Sequence, residues 1–307
     1  MGRLRCQSDP GDSYKLAYYL RTDGHRLRRL VPVDSGLREL QALVRLRDDH
    51  VRARTAAGNQ LGALLEQHWP GSKNLFCSLV SDIALNFLTD YPTPQSAARL
   101  GEARMAAFCK RHAYRGGKPA SALLARLRSA PIAPVSLPTD VLTAQVQLLR
   151  SLQTTIAQLE TTIKDRLARH PRAILLAELP GVGTINLAQL LAEVGPVLDR
   201  VESAEQAAAE CGAAPVTKAS GKTHGVYFRW AANTRARKAI TAFAHNSRMQ
   251  SPWAASLYVN ARTRGKRNPH ASRIVARAWL RVIWACWHNA TPYDPYSHPA
   301  AQHLTAH

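Results

Sequence analysis

The sequence predicts a mostly α-helical protein. Two long proline-free stretches, one from Asp34 to Trp69 and one over residues 139–169, carry apolar residues at helical spacing. A Gly-rich turn then splits an apolar run at 174–195 into two segments that both read as helix, and basic helical candidates follow. The 307 residues suffice for two domains, and a hydrophobic content of 46% is ordinary for a folded chain.

In chain order, "SDPGDSYKLAYYL" reads as a helix start. Pro10 suits the first helical position, and Asp9 and Asp12 place two anions where a helix N-terminus favours them. Capping is the first reading of Asp9; the sharper one is that Asp9 and Asp12 converge on a metal ion. A basic link leads to the first long helix, in which Leu37, Leu40, Val44, Val51, Leu61 and Leu65 line one face until "WPG" ends it. From 75 to 130, short helical candidates are separated by "YPTP" and "RGGKP", and "APIAPVSLP" reads as a hinge. In the second long helix, Leu149, Leu152, Ile156, Leu159 and Ile163 alternate spacings of three and four, a coiled-coil seam. Antiparallel pairing with the 35–68 helix and a contact between two copies both satisfy that stripe.

"LPGVG" places Gly181 and Gly183 in a tight reversal ahead of a helix start. Backbone N–H groups there suit a DNA phosphate, as in a helix-hairpin-helix element, although a structural helical hairpin also explains them. "SAEQ" at 203–206 is a capping box before an alanine-rich helix.

The formal charge is +20, which makes a polyanion the default partner. Its distribution is more telling: from Cys211 to Tyr293 there is no Asp or Glu against 14 Lys and Arg. That segment is read as a groove for phosphates, with Lys218, Lys222, Arg229, Arg235, Arg237, Lys238, Arg264, Lys266 and Arg267 as candidate contacts. Ser220, in "KASGK", reads by itself as a turn or a phosphate contact; a nucleophile is the sharper alternative. Trp279, Trp284 and Trp287 are expected in the core rather than stacked on bases, and His224 and His245 form no spaced metal motif. The five cysteines are isolated, so neither a zinc finger nor a disulfide framework is supported. No apolar stretch is long enough to span a bilayer, the basic N-terminus lacks a signal core, and the cytoplasm is the expected compartment.

Together, "SDPGDSYKLAYYLRTDGHRLRRL", "LPGVGTINLAQLLAEVG", "CGAAPVTKASGK" and the basic series after it resemble the DEDD transposases of the IS110 family of bacterial insertion sequences. The resemblance implies four regions: the end of a RuvC-like α/β domain at 1–33, a helical coiled-coil region at 34–170, a C-terminal transposase domain at 171–293 and a tail at 294–307. It implies DNA recombination through a Mg²⁺-binding carboxylate quartet, with Asp9 and Asp12 as its third and fourth members and Ser220 as the nucleophile. A DNA substrate, a structured guide RNA and assembly into homo-oligomers, or into hetero-oligomers with intact transposase, are further implications. The family's first Asp and its Glu belong before "SDPGD", so the resemblance also implies an N-terminally truncated gene product that is inactive alone, or a start codon assigned too far downstream. A non-catalytic nucleic-acid-binding protein or a regulatory partner of intact transposase is the alternative.

Overall fold

A computed structural model describes residues 9–26, 32–130, 137–221 and 223–295. Cys6, Lys222, most of the 130–138 proline segment and most of the tail lie outside the described residues. The described chain is mostly helical, with one small antiparallel two-stranded sheet. It divides into two compact units, Gly36–Ala192 and the residues from Glu193 onward grouped with those before Gly36.

Helix α1 (Asp9–Asp23) begins on Asp9 itself, so both acids lie in its first turn. None of its residues is buried, and Tyr14 and Leu16 are 73% and 71% exposed. Residues 9–26 contain no strand, so the α/β character expected of the N-terminal remnant is not found among the described residues.

The Gly36–Ala192 unit is organised by α2 (Ser35–His68) and, after α3 (Pro70–Lys73), α4 (Asp82–Asp90), α5 (Pro94–Ala98), α6 (Glu102–Arg111) and α7 (Ala120–Arg128), by α8 (Thr139–Arg169). In α8, Leu142, Leu149, Ile156 and Ile163 recur every seven residues and are all buried, while Leu152 and Leu159 are half-buried. Polar ties along the two long helices give their direction. Arg166 bridges Glu39 at 3.1 Å, Arg47 bridges Glu160 at 2.6 Å, and Gln145 donates to the Ala57 carbonyl at 2.8 Å. As the α2 position rises the α8 position falls, so the seam closes within one chain as an antiparallel pair. Val51 is only half-buried; Asp48 instead continues the stripe of Leu37, Leu40 and Val44. Its carboxylate accepts from Gln189 Nε2 at 3.1 and 3.3 Å, which satisfies a charge that burial alone would disfavour. The short helices cluster round Phe87, whose ring meets Trp69, Phe76, Tyr91 and Phe108 at centroid distances of 5.2–6.0 Å.

The segment before the Gly-rich turn departs from its predicted helix. Pro171–Leu175 is a 3-10 turn and residues 176–183 are turn, bend or irregular backbone; Pro180 disfavours helical backbone at Leu179, the residue before it. The Val182 N–H donates to Leu179 O at 3.1 Å, and Gly181 holds φ at +72°. With Pro180 second and Gly181 third, Leu179–Val182 has the residues and hydrogen bond of a type II turn. Gly183 caps α9 (Thr184–Gln189), which continues through a π-helical turn, Leu190–Val194, into α10 (Gly195–Leu198). Pro196 has no N–H to offer Ala192 O four residues back; Gln41 Nε2 donates to that carbonyl at 2.9 Å.

The C-terminal unit packs α11 (Ala204–Glu210), α12 (Thr234–Ser247) and α13 (Pro252–Thr263) against α14 (Asn268–His288). Ala271, Val275, Trp279 and Ile283 of α14 recur every four residues and are buried. Trp279 donates to Ser247 Oγ at 2.9 Å and Trp287 to Asp199 at 2.8 Å, so both serve the core. Ser203 caps α11 through Gln206 N–H, but the return bond from the Gln206 side chain reaches the N–H of Glu202 rather than Ser203.

Candidate nucleic-acid interface

Between α11 and α12 the chain forms a hairpin, β1 (Val216–Ser220) and β2 (Thr223–Tyr227), where the sequence predicts a basic loop. Val216, Thr217, Thr223 and Val226 are β-branched and favour extended backbone. A two-residue connection, with Gly221 at φ +54°, reverses the chain as tight hairpins require. The register runs from Val216↔Tyr227 through Lys218↔Gly225 to Ser220↔Thr223, which puts Ser220 at the tip. Residues 217–221 are all exposed.

Strand alternation puts Lys218 and Ser220 on one face. Lys218 Nζ lies 5.6 Å from the centre of the Tyr227 ring. Among the described residues, Ser220 Oγ makes no hydrogen bond, so its oxygen is presented to whatever meets the tip. His224 stands in register with Ala219 rather than with Ser220, and His245 bonds Arg248.

Arginines build the root of the hairpin. Arg229 donates to Ala214 O at 3.3 Å and Pro215 O at 3.4 Å, tying the strand ends together. Arg237 donates to Arg229 O at 2.6 Å and lies 4.6 Å from the Phe228 ring centre. Arg273 of α14 lies 4.7 Å from the same centre. Burial, and then the Arg237 charge, hold the Arg273 guanidinium below its ordinary pKa. A cleft of about 580 Å³ opens here, lined by Phe228, Arg229, His270, Arg273, Arg277 and Arg281 among others. Glu205 bonds both Arg277 and Arg281, which hold its carboxyl below the usual range, Arg281 contributing most. Asn233 caps α12 through the N–H groups of Arg235 and Ala236, both at 3.1 Å. Arg235 is half-buried there and Lys238 is exposed.

Arg264, Lys266 and Arg267 occupy the exposed turn between α13 and α14, and no described carboxylate bridges them. Gly181 and Gly183 lie in the turn already described, within the other unit. Asp12 bridges Lys15 at 3.0 Å, and Asp9 is exposed. Both offer the hard oxygen donors that Mg²⁺ takes, but two carboxylates on one exposed turn do not complete an octahedral set. Among the described residues no group of three or more His, Cys, Asp or Glu is placed to hold a metal. The acids in view therefore do not by themselves fit the ion.

Trp230 belongs to this surface although the sequence does not single it out. At 82% exposure it is the most exposed of the chain's described tryptophans, edge-on to Phe228 at 4.9 Å. Its signal is its place: "YFRW" sets three aromatic rings around an arginine just before the basic helix α12.

Comparison with known proteins places these features. The profile of the transposase IS116/IS110/IS902 family matches residues 173–259, and an IS110 DEDD transposase profile matches residues 6–70. A mini-circle putative transposase for IS117 from Streptomyces coelicolor is 31% identical over 304 residues, covering 95% of this chain and 73% of that protein. The chain belongs to the IS110 transposase family. Two other relatives are an IS900 42 kDa protein of Mycobacterium paratuberculosis and an IS110 43.6 kDa protein of Streptomyces coelicolor. They are 31% and 28% identical, cover 90% and 98% of this chain, and are matched over 70% and 75% of their own lengths. The IS116/IS110/IS902 match runs from the Gly-rich turn through the hairpin into α13; the 264–267 turn and α14 follow it. No helix among the described residues is long and apolar enough to cross a membrane.

Proposed function

We propose that the chain is a DNA transposase subunit in which Ser220 carries the attacking oxygen. The observation behind this is Ser220's place at the exposed tip of a hairpin, beside Lys218, in a segment that lacks any acid from Cys211 to Tyr293. Ser220 Oγ attacks a DNA phosphorus, the Oγ–P bond forms, and the bond from phosphorus to the 3′ oxygen breaks. The proton leaves the serine hydroxyl and the released strand ends in a 3′ hydroxyl, free for strand exchange. Lys218 sits where a cation steadies the charge that builds on the phosphate oxygens, and no acid between Cys211 and Tyr293 competes for it. The 264–267 turn and the Gly181–Gly183 turn supply contacts to the DNA backbone.

In this proposal Asp9 and Asp12 are two members of a larger acidic set whose other members come from another polypeptide. The chain then binds DNA but does not complete strand exchange alone, and it functions beside an intact transposase. The exposed Tyr14 and Leu16 of α1 favour such an assembly, because a helix with no buried residue has yet to cover its apolar groups. Purified chain with Mg²⁺ and matched element ends tests the proposal. Binding without robust turnover is expected; robust Ser220-dependent turnover by the chain alone overturns the incomplete-site reading, and failure to bind DNA overturns the whole.

A further inference from the structure

We propose that Trp230 and the adjoining arginine cleft form a site for one unpaired nucleotide, the base stacking on the indole and the phosphate entering the cleft. The inference rests on the nucleic-acid reading above and goes beyond it, since a duplex keeps its bases stacked on one another. Three observations support it.

Trp230 is 82% exposed, and Val226 and Tyr227 beside it are 61% and 51% exposed, so this apolar surface is uncovered in the chain. Core packing accounts for Trp279 and Trp287 but not for this ring. Phe228 then joins Trp230 to the cleft: it lines the cleft, meets Trp230 edge-on at an interplanar angle of 85°, and has the Arg237 and Arg273 guanidiniums 4.6 and 4.7 Å from its ring centre. Finally, the cleft's charges are unequal. Glu205 occupies Arg277 and Arg281, whereas Arg229 and Arg273 bridge no described carboxylate. A partly buried guanidinium beside a like charge, without a counter-anion, is poorly solvated unless an anion arrives. An aromatic ring beside a cleft with such cations is the combination that proteins use on unpaired strands.

Full-length chain is titrated with two DNA oligonucleotides of one sequence, an intact duplex and a duplex with a short single-stranded gap. A third carries ribonucleotides across the gap, and the tighter of the two gapped forms names the source of the unpaired nucleotide. Wild type is expected to prefer the gapped forms. Trp230→Ala should reduce that preference roughly 5- to 150-fold, the range for loss of one base–aromatic stack, and Trp230→Phe should restore most of it. Equal binding of gapped and intact DNA, or a preference that survives Trp230→Ala, overturns the inference while leaving the nucleic-acid reading intact. Failure of wild type to bind any of the three overturns both.

Discussion

Gly212 and Arg237 fit around one another. The glycine holds φ at +65°, and a side chain there would occupy the space that the Arg237 guanidinium fills. That placement carries the guanidinium onto Phe228 and into its bond with Arg229 O, so one residue at the end of α11 shapes the root of the hairpin.

Gly212→Ala should therefore destabilise the protein by about 2–5 kcal/mol. That figure combines about 1–2 kcal/mol for left-handed backbone with about 1–3 kcal/mol for overpacking. Thermal unfolding of wild type and variant measures it; an unchanged midpoint contradicts the fit.

The α2–α8 seam predicts a contrast between two adjacent leucines of α8. Leu149 is fully buried and Leu148 is 46% exposed. Leu149→Ala should cost about 2–5 kcal/mol in urea unfolding, and Leu148→Ala less than about 0.5 kcal/mol. Equal costs would contradict the assigned seam.

Much of this architecture is legible in the sequence because long helices repeat their signal. The α8 seam returns every seven residues, and both long helices end near their predicted limits. The hairpin is not legible: its strands are five residues each, and β1 is exposed along nearly its whole length, so no apolar–polar alternation marks it. Asp48 escapes notice because a carboxylate in an apolar stripe reads as an interruption until Gln189 is seen beside it. The helix expected before Pro180 does carry a warning, since a residue preceding proline avoids helical backbone. The candidate site is legible as a set of residues, through the acid-free run, but not as a surface. Ser220 at a tip and Trp230 beside a cleft follow from the hairpin, which only the fold reveals.

Glu205 gives a pH dependence. Its two arginine partners lower its pKa, so its contribution to stability is full above the ordinary carboxylate range, about 4.3, and is lost as pH falls through the lowered folded value. The side chain is half exposed, which limits the effect to about 1 kcal/mol or less. Glu205→Gln should be slightly less stable than wild type at pH 7, and the two should converge in acid. Urea unfolding across pH tests this; a gap that persists unchanged in strong acid rules it out.

The exposed turn between α13 and α14 predicts a salt effect. Arg264→Ala with Arg267→Ala should weaken duplex binding and flatten the plot of log affinity against log salt by about 2, one for each phosphate no longer neutralised. Titrations at several salt concentrations measure the slope. An unchanged slope would remove this turn from the interface.

Mapping the residue that becomes linked to DNA tests the central claim most directly. This chain would be mixed with Mg²⁺, element-end DNA and an intact transposase of the same element whose own nucleophilic serine is replaced by alanine. Mass spectrometry of the covalent product should place the nucleotide on the peptide containing Ser220, and Ser220→Ala should abolish it. A nucleotide found on another residue, or an undiminished adduct on the Ser220→Ala chain, would contradict the assignment.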